Sequence, residues 1–196
     1  EFRRVLFRSP QLLGTTNTTA REQLDLYSYL LAGKTEFWRA HRHYAGIIHF
    51  VYLTCSYPGV YTADHFSDVN RLKLDPAFAD YMGEAFKPLG VYLNFFQTNL
   101  APGATRPFKV MLVNDLYTRA DGTLRLVLED AQGKVLAKAE RPFAMDPLGN
   151  AAYEMPLEVP NLPGRCTLKA TAKAGDKAFG KPTVSRRWVT VTAAKP

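Results

Sequence analysis

The sequence predicts two unlike pieces, a short α/β segment reaching about Phe86 and an all-β sandwich domain after it. Three observations carry this. The run Ala45–Leu53 is apolar on both parities, the pattern of a parallel strand covered on both faces, and helical patterns flank it. From Val91 the apolar period changes to two. Through that second half, turn residues recur at short intervals.

The first nine residues, Glu1 to Ser9, back-translate into a string that resembles the end of a sequencing adapter. They have no continuous apolar core and no small-residue cleavage site, so a signal peptide is a poor reading. Residues 1–9 are therefore read as an artefact, and Pro10 onward as the interior of a truncated gene. Thr19-Ala20-Arg21-Glu22 is a capping box. After it Leu24, Tyr27, Leu31, Trp38 and Tyr44 recur near helical spacing, which predicts one or two helices to about His43, with Gly33 as a possible break. The loop Thr54–Val69 is rich in aromatic and polar residues. Asp75-Pro76 supplies an N-cap and a first-turn proline for a helix through Phe86, which Lys87-Pro88-Leu89-Gly90 stops. One strand is not a sheet, so the α/β piece, residues 10–88, reads as incomplete.

Residues 89–196 read as seven strands: Val91–Phe96, Phe108–Val113, Leu124–Glu129, Val135–Arg141, Ala152–Val159, Thr167–Ala172 and Val184–Val191. Pro102-Gly103, Asp121-Gly122, Gln132-Gly133, Pro147-Leu148-Gly149, Pro163-Gly164 and Gly180-Lys181-Pro182 are read as the turns between them. Leu124, Leu126 and Leu128 alternate with Arg125, Val127 and Glu129, so one face is core and the other mostly wet. About seven short antiparallel strands in roughly 100 residues is the signature of an immunoglobulin-like sandwich, although the Cys…Trp…Cys spacing of antibody domains is absent.

Composition removes several function classes. Apolar residues make up 46% and charged residues 22%, a globular balance. No apolar run is long enough for a membrane-spanning helix. The formal net charge is +7; without the leader's three Arg and one Glu it is +5. Residues 10–99 carry −1 (seven basic, eight acidic) and residues 100–196 carry +6 (fifteen basic, nine acidic). The basic residues are spread among strands with no stacking platform or glycine-rich motif, so a solvated face is expected rather than a nucleic-acid partner. Neither a membrane partner nor a metal or other cofactor is expected. Cys55 lacks a convincing base and Ser56 lacks a nucleophile-elbow context. Cys55 and Cys166 neither demand nor exclude a disulfide.

Several segments then line up. They are Phe37-Trp38-Arg39, Gly46-Ile47-Ile48-His49-Phe50, Asp64-His65-Phe66-Ser67-Asp68-Val69, Ala85-Phe86-Lys87-Pro88-Leu89-Gly90-Val91, Val113-Asn114-Asp115-Leu116 and Leu162-Pro163-Gly164-Arg165-Cys166-Thr167-Leu168. In this order the chain resembles the C-terminal part of a TIM-barrel glycoside hydrolase of the β-galactosidase and β-glucuronidase type. The resemblance implies that 10–88 is the last βα unit of the barrel and 89–196 an accessory sandwich. It also implies retaining hydrolysis by two Glu in the parent enzyme, both upstream of residue 10, so the fragment itself is expected to be inactive and to need the missing barrel as partner. A periplasmic or extracellular setting fits that family. Glu22, Glu36 and Glu84 sit on helices, where a solvated face is expected.

Barrel active sites are built from loops at the C-terminal ends of strands. If Ile47–Leu53 is the eighth strand, the following loop presents Tyr57, Tyr61, Asp64 and His65 there. Aromatic faces and hydrogen-bonding side chains are the types that hold a sugar. The alternative is that the tyrosines pack the loop, while Asp64 and His65 cap the next helix or orient the sandwich. His49 is either a hydrogen-bonded core residue or, facing inward, a substrate contact. The rival functional class is a noncatalytic carbohydrate-binding or adhesion module, which exposed aromatics in a row on one sandwich face would favour.

Overall fold

The computed structural model describes residues 18–41, 47–48, 65–68 and 70–193. Among the described residues it is predominantly β, with two α-helices. Helix α1 (Ala20–Ala40) begins with the expected capping box: Thr19 Oγ1 accepts the Glu22 N–H at 3.2 Å, and Glu22 Oε2 accepts the Thr19 N–H at 2.8 Å. Gly33 does not break it; it lies inside the helix beneath the Phe96 ring, 3.4 Å from where a Cβ would be. Strands β1 (Phe66–Asp68) and β2 (Lys73–Leu74) form a hairpin that the sequence reading placed partly in a loop. Helix α2 (Pro76–Ala85) starts where expected, with Asp75 accepting the Ala77 and Phe78 N–H groups at 3.0 and 3.1 Å.

The remaining strands are β3 (Leu89–Leu93), β4 (Asn99–Leu100), β5 (Thr105–Asn114), β6 (Ala120–Asp130), β7 (Val135–Met145), β8 (Asn150–Glu158), β9 (Gly164–Ala174) and β10 (Thr183–Val191). All seven expected strands are present, most of them longer than periodicity alone suggested. One sheet has the order β4-β10-β9-β6-β7 and the other β3-β5-β8; within them only β4 and β10 run parallel. The chain crosses between the sheets five times, staying in one sheet only from β6 to β7 and from β9 to β10, and one core joins their inner faces, from Leu89, Phe108 and Met155 on one side to Leu126, Leu168 and Val189 on the other. Period two is what allows this, since each strand gives every second side chain to the core.

Two expectations need correction. Asp121-Gly122 is not a turn: it lies within β6, and a Cβ at Gly122 would stand 2.1 Å from the Lys173 carbonyl oxygen of β9. The glycine is there because a neighbouring backbone comes close. Val127 is on the outward face of β6 yet only 3% exposed, because it lies in register between Lys169 and Lys138, whose aliphatic stems can shield it. A further expectation concerns the α/β piece. Its predicted strand Ala45–Leu53 falls outside the described residues except for Ile47 and Ile48, which are in no strand, and Ile48 is 91% exposed. A doubly covered strand needs hydrogen-bonded neighbours on both sides, and the described part of this segment supplies only two helices and a short hairpin.

Helix α1 lies across β3 and α2. The face it buries is not the stripe that predicted it. Its buried residues include Ser28, Thr35, Glu36 and Arg39, whereas Leu24 and Trp38 of the stripe are 40% and 53% exposed. A polar face turned inward needs partners, and those partners form the joint described next.

Candidate functional site at the helix–sheet joint

Of the side chains expected to meet a sugar, His49, Tyr57, Tyr61 and Asp64 lie outside the described residues. His65 is buried. Its imidazole stacks between Phe78 of α2, 4.0 Å between centroids and 5° between planes, and Tyr27 of α1, at 5.6 Å and 10°. Its carbonyl accepts the Asp75 N–H at 2.7 Å. Asp75 is in turn gripped by both terminal nitrogens of Arg21, at 2.6 and 3.0 Å, and this guanidinium holds its carboxyl below the ordinary carboxylate range. His65 thus ties the entry to the hairpin against both helices. At the other end of α1, the His41 ring packs on Phe37 at 4.4 Å.

Arg39 is the hub of the joint. Its Nη1 donates to the Ala85 carbonyl, and its Nη2 donates to the Lys87 carbonyl at 2.8 Å and to Asp115 Oδ2 at 2.6 Å. The guanidinium thereby satisfies carbonyls at the C-terminal end of α2, where cations are favoured. It lies against Gly90, where a Cβ would sit 3.1–3.2 Å from its atoms, so a larger residue would press directly on the guanidinium. Phe37-Trp38-Arg39, Ala85-to-Val91 and Val113-to-Leu116, three of the segments that carry the family resemblance, meet at this one side chain.

One helical turn earlier, Glu36 is 6% exposed and pairs with Arg187 of β10, which is 2% exposed. Arg187 Nη2 and Ser185 Oγ both donate to Glu36 Oε2, at 2.8 and 2.7 Å, and Ser185 Oγ accepts the Leu93 N–H of β3 at 3.2 Å. Phe96 and Tyr92 cover the Arg187 guanidinium, their ring centres 4.7 and 5.7 Å away. Burial pushes the Glu36 carboxyl above its ordinary value, with Arg187 and Ser185 opposing the shift. Arg187 Nε is buried with no hydrogen-bond partner among the described residues. The outward residues of β10 also hold the helices. Arg186 forks onto Asp80 at 2.5 and 2.9 Å, Trp188 stacks on Tyr29 at 4.3 Å, and the Val184 N–H donates to Glu84 at 2.8 Å.

Two of the three helical glutamates are therefore not solvated as expected. Glu36 is buried in an ion pair, and Glu84 holds Lys87 and β10; Glu22 alone stays on the surface, in its capping box. Sequence reasoning missed this joint, though one signal was available. Ser185 and Arg187 share the core-facing parity of Val189 and Val191, and a polar residue on that parity demands a buried partner. Chemically, the joint orients and fastens: its carboxylates and hydroxyl are engaged with cations and backbone.

No family model and no curated protein matches the chain. Among solved structures it is similar to a family 123 glycoside hydrolase from Clostridium perfringens, at 10% identity and TM-score 0.38, covering 56% of this chain and 28% of that one. It is similar to a β-glucosidase from Listeria innocua at 14% identity and TM-score 0.40, covering 57% and 17%. It is also similar to AvmM, which catalyses macrocyclization in alchivemycin A biosynthesis, at 11% identity and TM-score 0.42, covering 56% and 92%. The chain thus spans less than a third of the length of either hydrolase. Likenesses this distant join hydrolases with a macrocyclizing protein and assign no activity.

Proposed function

We propose that this chain is the C-terminal part of a glycoside hydrolase of the β-galactosidase and β-glucuronidase type. In this reading residues 10–88 end the barrel and residues 89–196 are an immunoglobulin-like accessory sandwich. The part fastens that sandwich to the catalytic domain and presents the segment around Tyr57, Tyr61, Asp64 and His65 as one wall of the sugar pocket. The observation that carries the reading is the convergence at Arg39. Segments far apart in sequence, picked out only by their resemblance, share one guanidinium at a joint between a helical layer and the sheets. Glu36 and Glu84, both engaged in structural contacts, fit a part without the catalytic Glu pair. His65, clamped between Tyr27 and Phe78, would position the loop from its C-terminal end while the side chains before it meet the sugar.

The test is to sequence the source DNA upstream of Pro10. An open frame through several βα units, with Glu at two strand ends, is the expected result; a start codon just before Pro10 would overturn the reading. In the intact enzyme, Asp64→Ala should weaken sugar affinity, and unchanged affinity would remove Asp64 from the pocket. The noncatalytic binding module gains nothing from the exposed aromatics of the β region: Phe96 lies between β3 and β4, and Tyr117 between β5 and β6.

A further inference from the structure

We infer that the outward face of the five-stranded sheet, over β9, β6 and β7, is a binding surface for a linear anionic polysaccharide. The inference does not rest on the hydrolase reading. In sequence the basic residues of the second half are spread among strands; strand register gathers them. Cys166, Leu168, Ala170 and Ala172 of β9 face the core, so Arg165, Lys169 and Lys173 stand on the opposite face with Thr167 and Thr171 between them. Register adds Arg125 across from Thr171, Lys138 beyond Val127 from Lys169, and Arg186 beside Lys169. Against these six cations the same strands turn out three carboxylates, Glu129, Glu140 and Asp121, the last held by Arg119. The outward face of β3-β5-β8 instead carries Lys109 against Glu154 and Glu158. The basic excess of residues 100–196 is thus sorted to one side of the sandwich, where it sets up a positive field.

Some of these charges are already engaged. Lys169 pairs with Glu129 at 2.7 Å, Arg186 forks onto Asp80 of α2, and Arg125 stands opposite Glu140. Lys138 and Lys173 are exposed, and among the described residues neither is in an ion pair. They lie two strand spacings apart across the face, about 10 Å, and four residues apart along it, about 13 Å. The helices bound the face on its other side, because Trp188 stacks on Tyr29 of α1 and Arg186 grips Asp80, which sets both helices over β10. What stays open is a band three strands wide that runs with β9. A single polyanionic chain follows such a band and its twist, whereas a rigid duplex or a flat bilayer would bear on the helices. Thr123, Thr167 and Thr171 place hydroxyls between the cations, partners for the hydroxyls of a sugar chain. The aromatic ring among the outward residues, Trp188, is spent on Tyr29 and so offers no platform for a base.

The test is isothermal titration of the full chain with heparin and with a polyuronate, neutral dextran serving as the blank, at low and at near-physiological salt. Lys138→Glu and Lys173→Glu are compared with Lys109→Glu, which changes the net charge equally but on the other face. All three positions are exposed, and circular dichroism with thermal melts verifies that the variants fold. The expected result is binding to the charged chains and not to dextran, weakened by added salt. Each of Lys138→Glu and Lys173→Glu should weaken it by roughly fivefold or more, with Lys109→Glu within about twofold of the parent. No binding to either polyanion at low salt, or equal losses in all three variants, overturns the inference. So does tighter binding to duplex DNA or to phosphatidylserine vesicles than to the polysaccharides, since the occupant would then be of another class.

Discussion

Replacing Arg187 by methionine is the sharpest perturbation of the joint. Met fills much of the same space but leaves Glu36, 6% exposed, without its cation; Ser185 remains as a hydrogen-bond donor. Removing one member of a buried ion pair costs about 3–5 kcal/mol, because an uncompensated charge stays buried. For a chain of this size that is a loss of roughly 6–20 °C in Tm. The double variant Glu36→Leu/Arg187→Met removes both charges and should recover most of the loss, giving a coupling energy of several kcal/mol by urea denaturation. The pH dependence has a definite sign. The folded-state value of Glu36 is raised by burial, and losing Arg187 raises it further. A raised carboxylate contributes stability that is present below its unfolded value and lost as pH rises through the folded one. The deficit of Arg187→Met should therefore be smaller at about pH 5 than near neutrality, while unperturbed carboxylates are still mostly ionised. A single variant within about 1 kcal/mol of the parent at neutral pH, or a double variant as unstable as the single, would refute the reasoning.

Other outcomes follow from the same structure. Gly122→Ala forces a Cβ into the Lys173 carbonyl and should destabilise by about 1–3 kcal/mol in urea melts. Gly83→Ala, inside α2 with nothing within 4 Å of its Cβ, should stabilise by up to about 1 kcal/mol in the same assay. Asp75→Ala removes an N-cap and the partner of Arg21 and should cost about 1–2 kcal/mol at pH 7. Because Arg21 lowers the Asp75 value, the stability it contributes is lost as pH falls through that lowered value; the cost of Asp75→Ala should shrink in acid, read from melts across the acid range. Residues 87–193 expressed without the helices would leave Arg187 unpaired and Trp188 uncovered, so size-exclusion chromatography should show oligomers or aggregate; a cooperative monomer would mean the joint is dispensable.

Local chemistry in the sequence determined a good deal by itself. The capping box at Thr19 and Glu22, the Asp75-Pro76 start of α2 and the period-two strands depend on neighbours a few residues away, so their signals are intact in one dimension. The helix was legible from Leu24, Tyr27, Leu31 and Trp38, but not the face it would bury, because periodicity reports that a stripe exists and not what covers it. Of the candidate sugar-facing residues, His65 alone is described, and its burial depends on rings 38 residues before and 13 after it, beyond any local pattern. Gly122 read as a turn because glycine marks turns and close backbone approaches alike, and only the position of β9 separates them. Tertiary structure alone decided the fate of the charges. Glu36 looks like any surface glutamate until Arg187, 151 residues away, is brought beside it, and desolvation then turns an ordinary side chain into a fixed point of the fold.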